Sequence, residues 1–253
     1  MKLEVERMTG YEARPGLLEG RVVLVTGAGA GIGRALSLAA ADLGATVILL
    51  GRTQKKLEAV YDQIVEGGGP RPSIFPMDLA RARGEDYDRL SGAIEEEWGR
   101  LDALVQNAGI LGDRTPIEFY DVGTWQRVLH IHLTAPFIFC RCLLPLLKRS
   151  DDASVIFASS GVGRRGKAYW GAYSVSKFGI EALNQILADE VDQAENLRVN
   201  AVNPGPTRTA MRASAYPAED PDTLKTPEEI LGVYLYLLGP DSRGVSGKSF
   251  DAQ

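Results

Sequence analysis

From residue 21 onward, short runs of β-branched and aliphatic residues alternate with longer stretches whose apolar positions recur every three or four residues. Short continuous apolar runs read as buried strands and the longer amphipathic stretches as helices; their regular alternation is the pattern of parallel βαβ units. The strands predicted are Val22–Thr26, Thr46–Leu50, Ser73–Pro76, Ala103–Gln106, Val155–Ala158 and Arg198–Val202, with a short seventh near Ser249–Asp251. Helices are predicted over Gly31–Leu43, Gln54–Glu66, Gly84–Trp98, Asp121–Lys148, Tyr173–Val191 and Pro227–Leu238. The acidic face of the third reads as solvated surface. Pro136 and Pro145 predict a kink or break in the fourth. Residues 1–20 are polar, contain Pro15 and Gly16 and show no sustained period, so they read as an N-terminal arm before a single domain over 21–253. Right-handed crossovers close these units into one doubly wound parallel α/β sheet, Rossmann-type, with helices on both faces. Ligands then belong beyond the carboxyl ends of the strands.

A chain of 253 residues suits one such domain. Its 45% hydrophobic and 24% charged residues are ordinary for a globular enzyme. A net charge of −5 and a pI near 5.2 weigh against nucleic-acid binding, which wants a basic field. The first residues carry Glu4, Glu6 and Glu12 and no long apolar run, so no secretion signal is expected. The longest apolar segment, Ala135–Leu147, is interrupted by Arg141 and two prolines and is too short to span a bilayer. No membrane partner is expected and the cytoplasm is the default location. Cys140 and Cys142 lie one residue apart with no second Cys/His pair, which reads as reduced core or interface thiols and no metal site.

Candidate chemistry gathers at the predicted strand ends. After the first strand, Thr26-Gly27-Ala28-Gly29-Ala30-Gly31-Ile32-Gly33 opens a helix. Glycines allow a tight turn and close approach to a pyrophosphate, while the helix start offers free N–H groups and a positive dipole end. The strict G-x-G-x-x-G spacing fails; Gly27, Gly31 and Gly33 give T-G-x-x-x-G-x-G, and alone such a turn is often only a tight connection. The second strand ends at Gly51-Arg52, where an acid would bind the ribose hydroxyls of NAD. A guanidinium there instead suits a 2′-phosphate, so NADP(H) is expected over NAD(H). Asp78, followed by Leu79, stands where it can meet an adenine amino group, or equally serve as a turn aspartate. Asn107-Ala108-Gly109 follows the fourth strand, small enough for a cofactor to lie against the backbone.

Tyr173 and Lys177 share one helical face, and Ser160 lies just past the fifth strand. Together they bring a phenol, an ammonium and a hydroxyl to the mouth of the sheet. In the reducing direction Ser160 hydrogen-bonds the carbonyl oxygen and Tyr173 donates the proton. A phenol of ordinary pKa near 10 is a poor acid–base at neutral pH. The charge of Lys177, with that of an oxidised nicotinamide, is expected to favour the phenolate.

Taken in order, Thr26-Gly-x-x-x-Gly-x-Gly33, Asn107-Ala-Gly109, Ser160, Tyr173-x-x-x-Lys177 and Asn203-Pro204-Gly205-Pro206-Thr207-Arg208-Thr209 resemble a short-chain dehydrogenase/reductase from about Leu18 to the end. Residues 163–177, 207–213 and 249–253 are similar to the bacterial YciK-type branch of that family. The resemblance implies about seven strands in the order 3-2-1-4-5-6-7, and homodimers or homotetramers built partly on the two long helices. It implies the roles just given for Ser160, Tyr173 and Lys177, and puts Pro204, Gly205, Thr207 and Thr209 beside the nicotinamide carboxamide and phosphates. The family carries an asparagine that holds a proton-relay water near the lysine; His132 falls at that position here. An imidazole donates, accepts and titrates near neutral pH, so pH-dependent turnover through His132 is an expectation. His130 reads as a helix-surface residue.

The expected partner is a small carbonyl or alcohol whose identity the sequence does not name. Residues 206–226 form a candidate substrate lid with Met211, Tyr216 and three acids, and Tyr169 and Trp170 either line the pocket or simply pack. A non-catalytic NADP(H)-binding scaffold is the alternative, supported by the His132 departure alone. An S-adenosylmethionine-dependent methyltransferase fits Arg52 and the serine–tyrosine–lysine set poorly.

Overall fold

Eight strands, all parallel, form one sheet in the computed structural model, which describes residues 5–194 and 196–253. Glu4, counted above with the acidic arm, lies outside them. In chain order the main elements are β1 (Val5–Arg7), β2 (Val22–Thr26), α1 (Gly31–Asp42), β3 (Thr46–Gly51), α2 (Gln54–Glu66), β4 (Ser73–Pro76), α3 (Gly84–Trp98) and β5 (Ala103–Gln106). There follow α4 (Val122–Leu129), α5 (Ala135–Leu147), β6 (Ala153–Ala158), α6 (Gly171–Glu190), β7 (Leu197–Asn203), α7 (Ala210–Ala215), α8 (Gly232–Leu238) and β8 (Ser249–Asp251).

The strands run β1-β8-β7-β6-β5-β2-β3-β4 across the sheet. Without β1, this is the expected order 3-2-1-4-5-6-7 read from β4. Apolar runs are continuous in the central strands because both faces are covered. Val23, Val25 and Leu49 pack on one side with α1, α2 and α8, while Leu24, Ile48 and Leu50 pack on the other with α3, α5 and α6. Each such side chain contributes roughly 2 kcal/mol by leaving water.

Two features depart from the pattern read in the sequence. The N-terminal arm is not wholly irregular: Val5, Glu6 and Arg7 pair in register with Ser249, Phe250 and Asp251, making β1 the outer strand beside β8. All three β1 residues are exposed, so no alternation of apolar and polar positions marks the strand. The long fourth helix, in turn, is interrupted upstream of its prolines. Residues 122–147 form one continuous helix, but His130–Thr134 is a π turn in which the Ala135 N–H reaches back to the His130 carbonyl. Pro136 has no N–H for the carbonyl four residues back, that of His132, and the wider turn absorbs the misfit. The helix then runs on through Pro145. At 26 residues it exceeds the apolar segment seen in the sequence and is long and apolar enough to cross a bilayer. Here, however, Val128, Phe139, Leu143 and Leu147 are buried in the protein core.

The chain leaves the sheet after β7 and returns at a bridge between Thr207 and Lys225, where the Arg208 N–H donates to the Lys225 carbonyl at 2.8 Å. That bridge fastens the base of the candidate lid, which carries α7. The last predicted helix begins not at Pro227 but with a 3-10 turn, Glu228–Ile230, before α8.

Candidate active site

At the carboxyl end of β2, Gly27 and Gly31 have φ of +71° and +54°, a region that side chains disfavour. A Cβ on Gly27 would also stand 3.0 Å from Ala108 Cα and from Asn107 Nδ2. Thr26 ties the two loops together: its hydroxyl accepts from the N–H groups of Asn107 (2.9 Å) and Ala108 (3.0 Å), and Asn107 Nδ2 donates to the Thr26 carbonyl at 3.0 Å. Helix α1 starts at this turn with no side-chain cap and no acid in its first turn, so its free N–H groups and positive dipole end face the turn.

These loops border a cleft of about 440 Å³ along the carboxyl ends of the strands. Of the cofactor positions predicted from sequence, Gly27, Gly31, Ile32, Arg52, Asp78, Leu79, Asn107, Ala108, Gly109, Pro204, Gly205, Thr207 and Thr209 all line it. Gly33 does not. It packs beneath, where a Cβ would collide with the Gly27 carbonyl, so its part is to let α1 dock under the turn. Arg52 stands exposed at the rim, joined by Lys56 one turn into α2, a cation that sequence reading passed over. Neither side chain pairs with a carboxylate among the described residues. Asp78 fills both roles considered for it: it lines the cleft, and its Oδ1 accepts from the Ala80 N–H at 3.1 Å as a turn aspartate.

The same cleft continues to Ser160, Tyr173, Lys177 and His132. Ser160 follows β6, and Tyr173 and Lys177 lie one turn apart near the start of α6. Lys177 Nζ donates to the Ala158 carbonyl at 2.5 Å and lies 5.7 Å from the centre of the Tyr173 ring. Gly163 makes room for it; a Cβ there would stand 2.7 Å from Lys177 Cβ. The Tyr173 ring is wedged edge-on between His132, at 5.2 Å, and Trp170, at 5.4 Å.

Burial dominates the electrostatics of this end. It pushes the Tyr173 phenol up to about 12, against which a hydrogen bond from Ser160 pulls down. Loss of water around the phenolate thus raises the phenol, where the Lys177 charge was expected to lower it. Burial also brings Lys177 itself down to about 8, with the charge of Glu181 acting upward. His132 requires a correction. It is buried, its Nε2 accepts from the Ile110 N–H at 2.8 Å, and its Nδ1 lies 3.2 Å from Ser176 Oγ. The imidazole thus carries its proton on Nδ1. Burial first, then the Lys177 charge, hold its pKa well below the usual value, so it is neutral and does not titrate near neutral pH. His130, in the same π turn, is half-exposed.

At the far end, Trp170 lines the cleft, whereas Tyr169 does not: it is exposed, with a φ of +69°. The lid closes on Trp170 through a stack of rings and guanidinium groups. Arg114 lies 4.6 Å from the Trp170 ring centre and 4.8 Å from that of Tyr216. Arg212 covers Tyr216 at 3.8 Å and holds Glu219 with two bonds, of 2.6 and 2.5 Å. Arg114 Nη1 also donates to the Ala215 carbonyl at the end of α7. Sequence reading named Met211 and Tyr216 but missed Arg114, whose partners lie in distant segments, and Arg212, which lies one helical turn before Tyr216. It likewise missed the buttress behind Ser160, where Asn203 Oδ1 accepts from the N–H groups of Gly161 and Gly205, both at 3.1 Å. Cys140 is buried and Cys142 half-buried, both free thiols.

Comparison with known proteins matches the short chain dehydrogenase family over residues 21–220. The chain is 49% identical over 243 residues to the uncharacterized oxidoreductase YciK of Escherichia coli K12, with 96% of each chain covered. A short chain dehydrogenase structure from Pseudomonas syringae superposes with a TM-score of 0.95 at 52% identity, covering 97% of this chain and all of the other. A crystal structure of a short chain dehydrogenase from Shigella flexneri 2a, complexed with NADP, gives a TM-score of 0.92 at 49% identity over 95% of this chain and all of that one.

Proposed function

Because the chain belongs to the short-chain dehydrogenase family and is an oxidoreductase, we propose that it transfers a hydride between NADP(H) and a small carbonyl or alcohol, with Tyr173 as general acid and base. The observation that carries this reading is one continuous cleft. It joins the glycine turn and Arg52 at one end to Tyr173, Ser160 and Lys177 at the other.

The cofactor end fits a phosphorylated dinucleotide on its own geometry. A Cβ has no room at Gly27, the first turn of α1 is uncapped, and Arg52 and Lys56 stand at the rim where Gly51 replaces an acid. Two cations without carboxylate partners favour a 2′-phosphate, in keeping with the NADP complex of the Shigella relative. Gly27, Gly31, Asn107, Ala108, Thr207 and Thr209 would hold the cofactor, which when bound supplies or accepts the hydride.

The chain's own residues manage the oxygen. In reduction, Ser160 donates a hydrogen bond to the substrate oxygen and Tyr173 gives it a proton; in oxidation Tyr173 takes the proton back. Lys177, charged and fixed on the Ala158 carbonyl, stabilises the phenolate left behind. His132 holds the Tyr173 ring by its edge and the Gly109–Ile110 loop by its Nε2, a positioning part that needs no titration. Trp170, Met211 and Ala215 give the substrate end an apolar wall. Exposed Phe137 on α5, and Val175, Phe178 and Ile186 on α6, support a homo-oligomer built on the two long helices. Mass photometry is expected to find a dimer or tetramer, and a monomer at micromolar concentration overturns that part.

Absorbance of NADPH, followed against a panel of ketones, aldehydes and quinones, tests the main reading. Turnover by the wild type and its loss in Tyr173→Phe are expected. NADPH binding without turnover of any panel member would return the protein to the scaffold reading.

A further inference from the structure

Behind the reacting groups lies a buried acid that the proposed chemistry does not use. Glu181 sits one turn beyond Lys177 on the same face of α6, so Tyr173, Lys177 and Glu181 follow one another along the helix. It is only 4% exposed. Its two oxygens are treated very differently. Oε1 accepts from the Ser159 hydroxyl, from Arg164 Nε at 3.1 Å and from the Ser249 hydroxyl at 3.0 Å. Oε2 is buried and has no hydrogen-bond donor. Leaving a buried acceptor unmet is unfavourable, more so for a charged group, and a neutral amide would keep much of the Oε1 network.

The contacts on Oε1 explain where the side chain is held. Ser159 immediately precedes Ser160, and Arg164 closes the loop that Ser160 begins. Arg164 reaches on to Asp251 Oδ1 at 2.6 Å and Ser249 Oγ at 2.6 Å. Glu181 therefore fastens the Ser160 loop to the helix bearing Tyr173 and Lys177, two elements that must keep a fixed separation for a hydroxyl and a phenol to address one oxygen. These contacts leave the second oxygen unmet, on a side chain one helical turn from Lys177. The Lys177 ammonium is buried and donates to the Ala158 carbonyl, and among the described residues Glu181 is the acid that raises its pKa. In a medium of low dielectric an unpaired ammonium and an unmet carboxylate oxygen one turn apart stabilise each other without touching.

We propose that Glu181 is a positioning residue for the reaction: it locks the Ser160 loop onto α6 with one oxygen and, with the other, keeps the Lys177 ammonium charged in its buried seat. The inference rests on the reading of Tyr173 and Lys177 as the acid–base pair. Among the described residues, Tyr173 and Glu181 act on Lys177 from its own helix, neutral His132 from the π turn and the Ala158 carbonyl from β6; Arg164, from the loop after β6, meets Glu181, with Asp251 of β8 behind it. Lys177 stands at about 8, drawn down by burial and held up by Glu181, so loss of the carboxylate would discharge it at neutral pH.

The test compares two ways of breaking the same ion pair. Glu181→Gln removes the negative charge; Arg164→Met leaves it and removes its strongest competitor. Both are expected to lower the melting temperature. On Lys177 they should act oppositely, and that can be read without any substrate. In full-length protein labelled with 13C at lysine Cε, the Lys177 signal, assigned by its absence in Lys177→Met, is followed through pH 6–11. The midpoint is expected to fall by at least about one unit in Glu181→Gln and to rise in Arg164→Met. With a reducible substrate, the alkaline limb of the kcat profile should follow the same two shifts. Should Glu181→Gln fail to fold, Glu181→Asp, which withdraws the charge from Lys177, is read for a smaller fall. An unchanged midpoint, or a shift in the same direction in both variants, would reduce Glu181 to a structural tie and overturn the proposal. Retained turnover in Tyr173→Phe strikes the acid–base reading instead, while the behaviour of the Lys177 signal stands apart from it.

Discussion

The two ends of the cleft are built from different material. At the nucleotide end the walls are backbone: Gly27 and Gly31 in conformations that other residues rarely adopt, the uncapped start of α1, and the Asn107–Gly109 loop pinned by Thr26. At the substrate end they are side chains: Trp170, Met211 and Arg212 line the cleft, with Arg114 and Tyr216 stacked behind them. A site made of backbone demands particular residues at fixed spacing within one loop. Side chains can be exchanged for others wherever the fold brings their carriers together. The first end is therefore set by a few neighbouring residues and the second by the lid as a whole, which is where one such enzyme differs from another.

Perturbing each end in turn should separate them. The largest effect is expected midway, where Tyr173→Phe removes the proton donor and lowers kcat about 10³-fold while the Kd for NADPH holds. A proportionate loss of NADPH binding would mean that the ends are not separable. Next comes Gly33→Ala, whose new methyl meets the Gly27 carbonyl; roughly 2 kcal/mol of stability should go, with NADPH binding, as read by melting with and without cofactor. A variant that melts and binds like the wild type would show that α1 can shift. Arg52→Ala should weaken NADPH about 10- to 100-fold and leave NADH nearly untouched, measured by fluorescence titration. Equal losses for both would take the 2′-phosphate away from this guanidinium.

His132 joins the two ends, and its effect is on stability. Its folded pKa lies below the unfolded value of 6.5, so the unfolded chain binds more protons at acid pH. Its contribution is complete above that pH and is lost as pH falls below it. Between pH 7.5 and 5.5 the wild type should lose about 1 kcal/mol more than His132→Asn; parallel melting curves would contradict a neutral buried ring. Turnover of the two should show the same pH dependence across this range. The smallest effect belongs to the lid. Tyr216→Ala removes three cation–π contacts, from Arg114, Lys167 and Arg212, of about 0.5–1 kcal/mol each and should raise KM a few-fold with the Kd for NADPH unchanged. If it alters cofactor binding instead, the lid reaches further along the cleft than its contacts indicate.

What could be read from sequence follows the same division. The strands were legible because both faces of the central strands are covered, leaving uninterrupted apolar runs, whereas their order was given only by the family resemblance. The glycine turn, Ser160 and Tyr173 were legible because each sits within a residue or two of a strand end or helix start, and Lys177 because it follows Tyr173 by one helical turn. Strand β1 was hidden, since its exposed side chains carry no alternation. The π turn was hidden too: the prolines pointed to a disturbance but not to the turn before them. Arg114 and Arg164 carry no local mark, because their partners are assembled only by the folded chain; Arg212 and Glu181 do stand one helical turn from Tyr216 and Lys177, a spacing too common to single them out.

Strand β1 has one more consequence. Ser249 and Asp251, which anchor Arg164 and through it the loop of Ser160, belong to β8. Were β8 the outermost strand, its free row of peptide groups would fray or recruit a foreign strand, and the anchor would loosen with it. Three exposed residues laid alongside, with Glu6 reaching Lys248 at 3.8 Å, turn that border into interior. The steadiness of a hydroxyl in the cleft is thus guarded from the opposite margin of the molecule, by a stretch that touches nothing reactive.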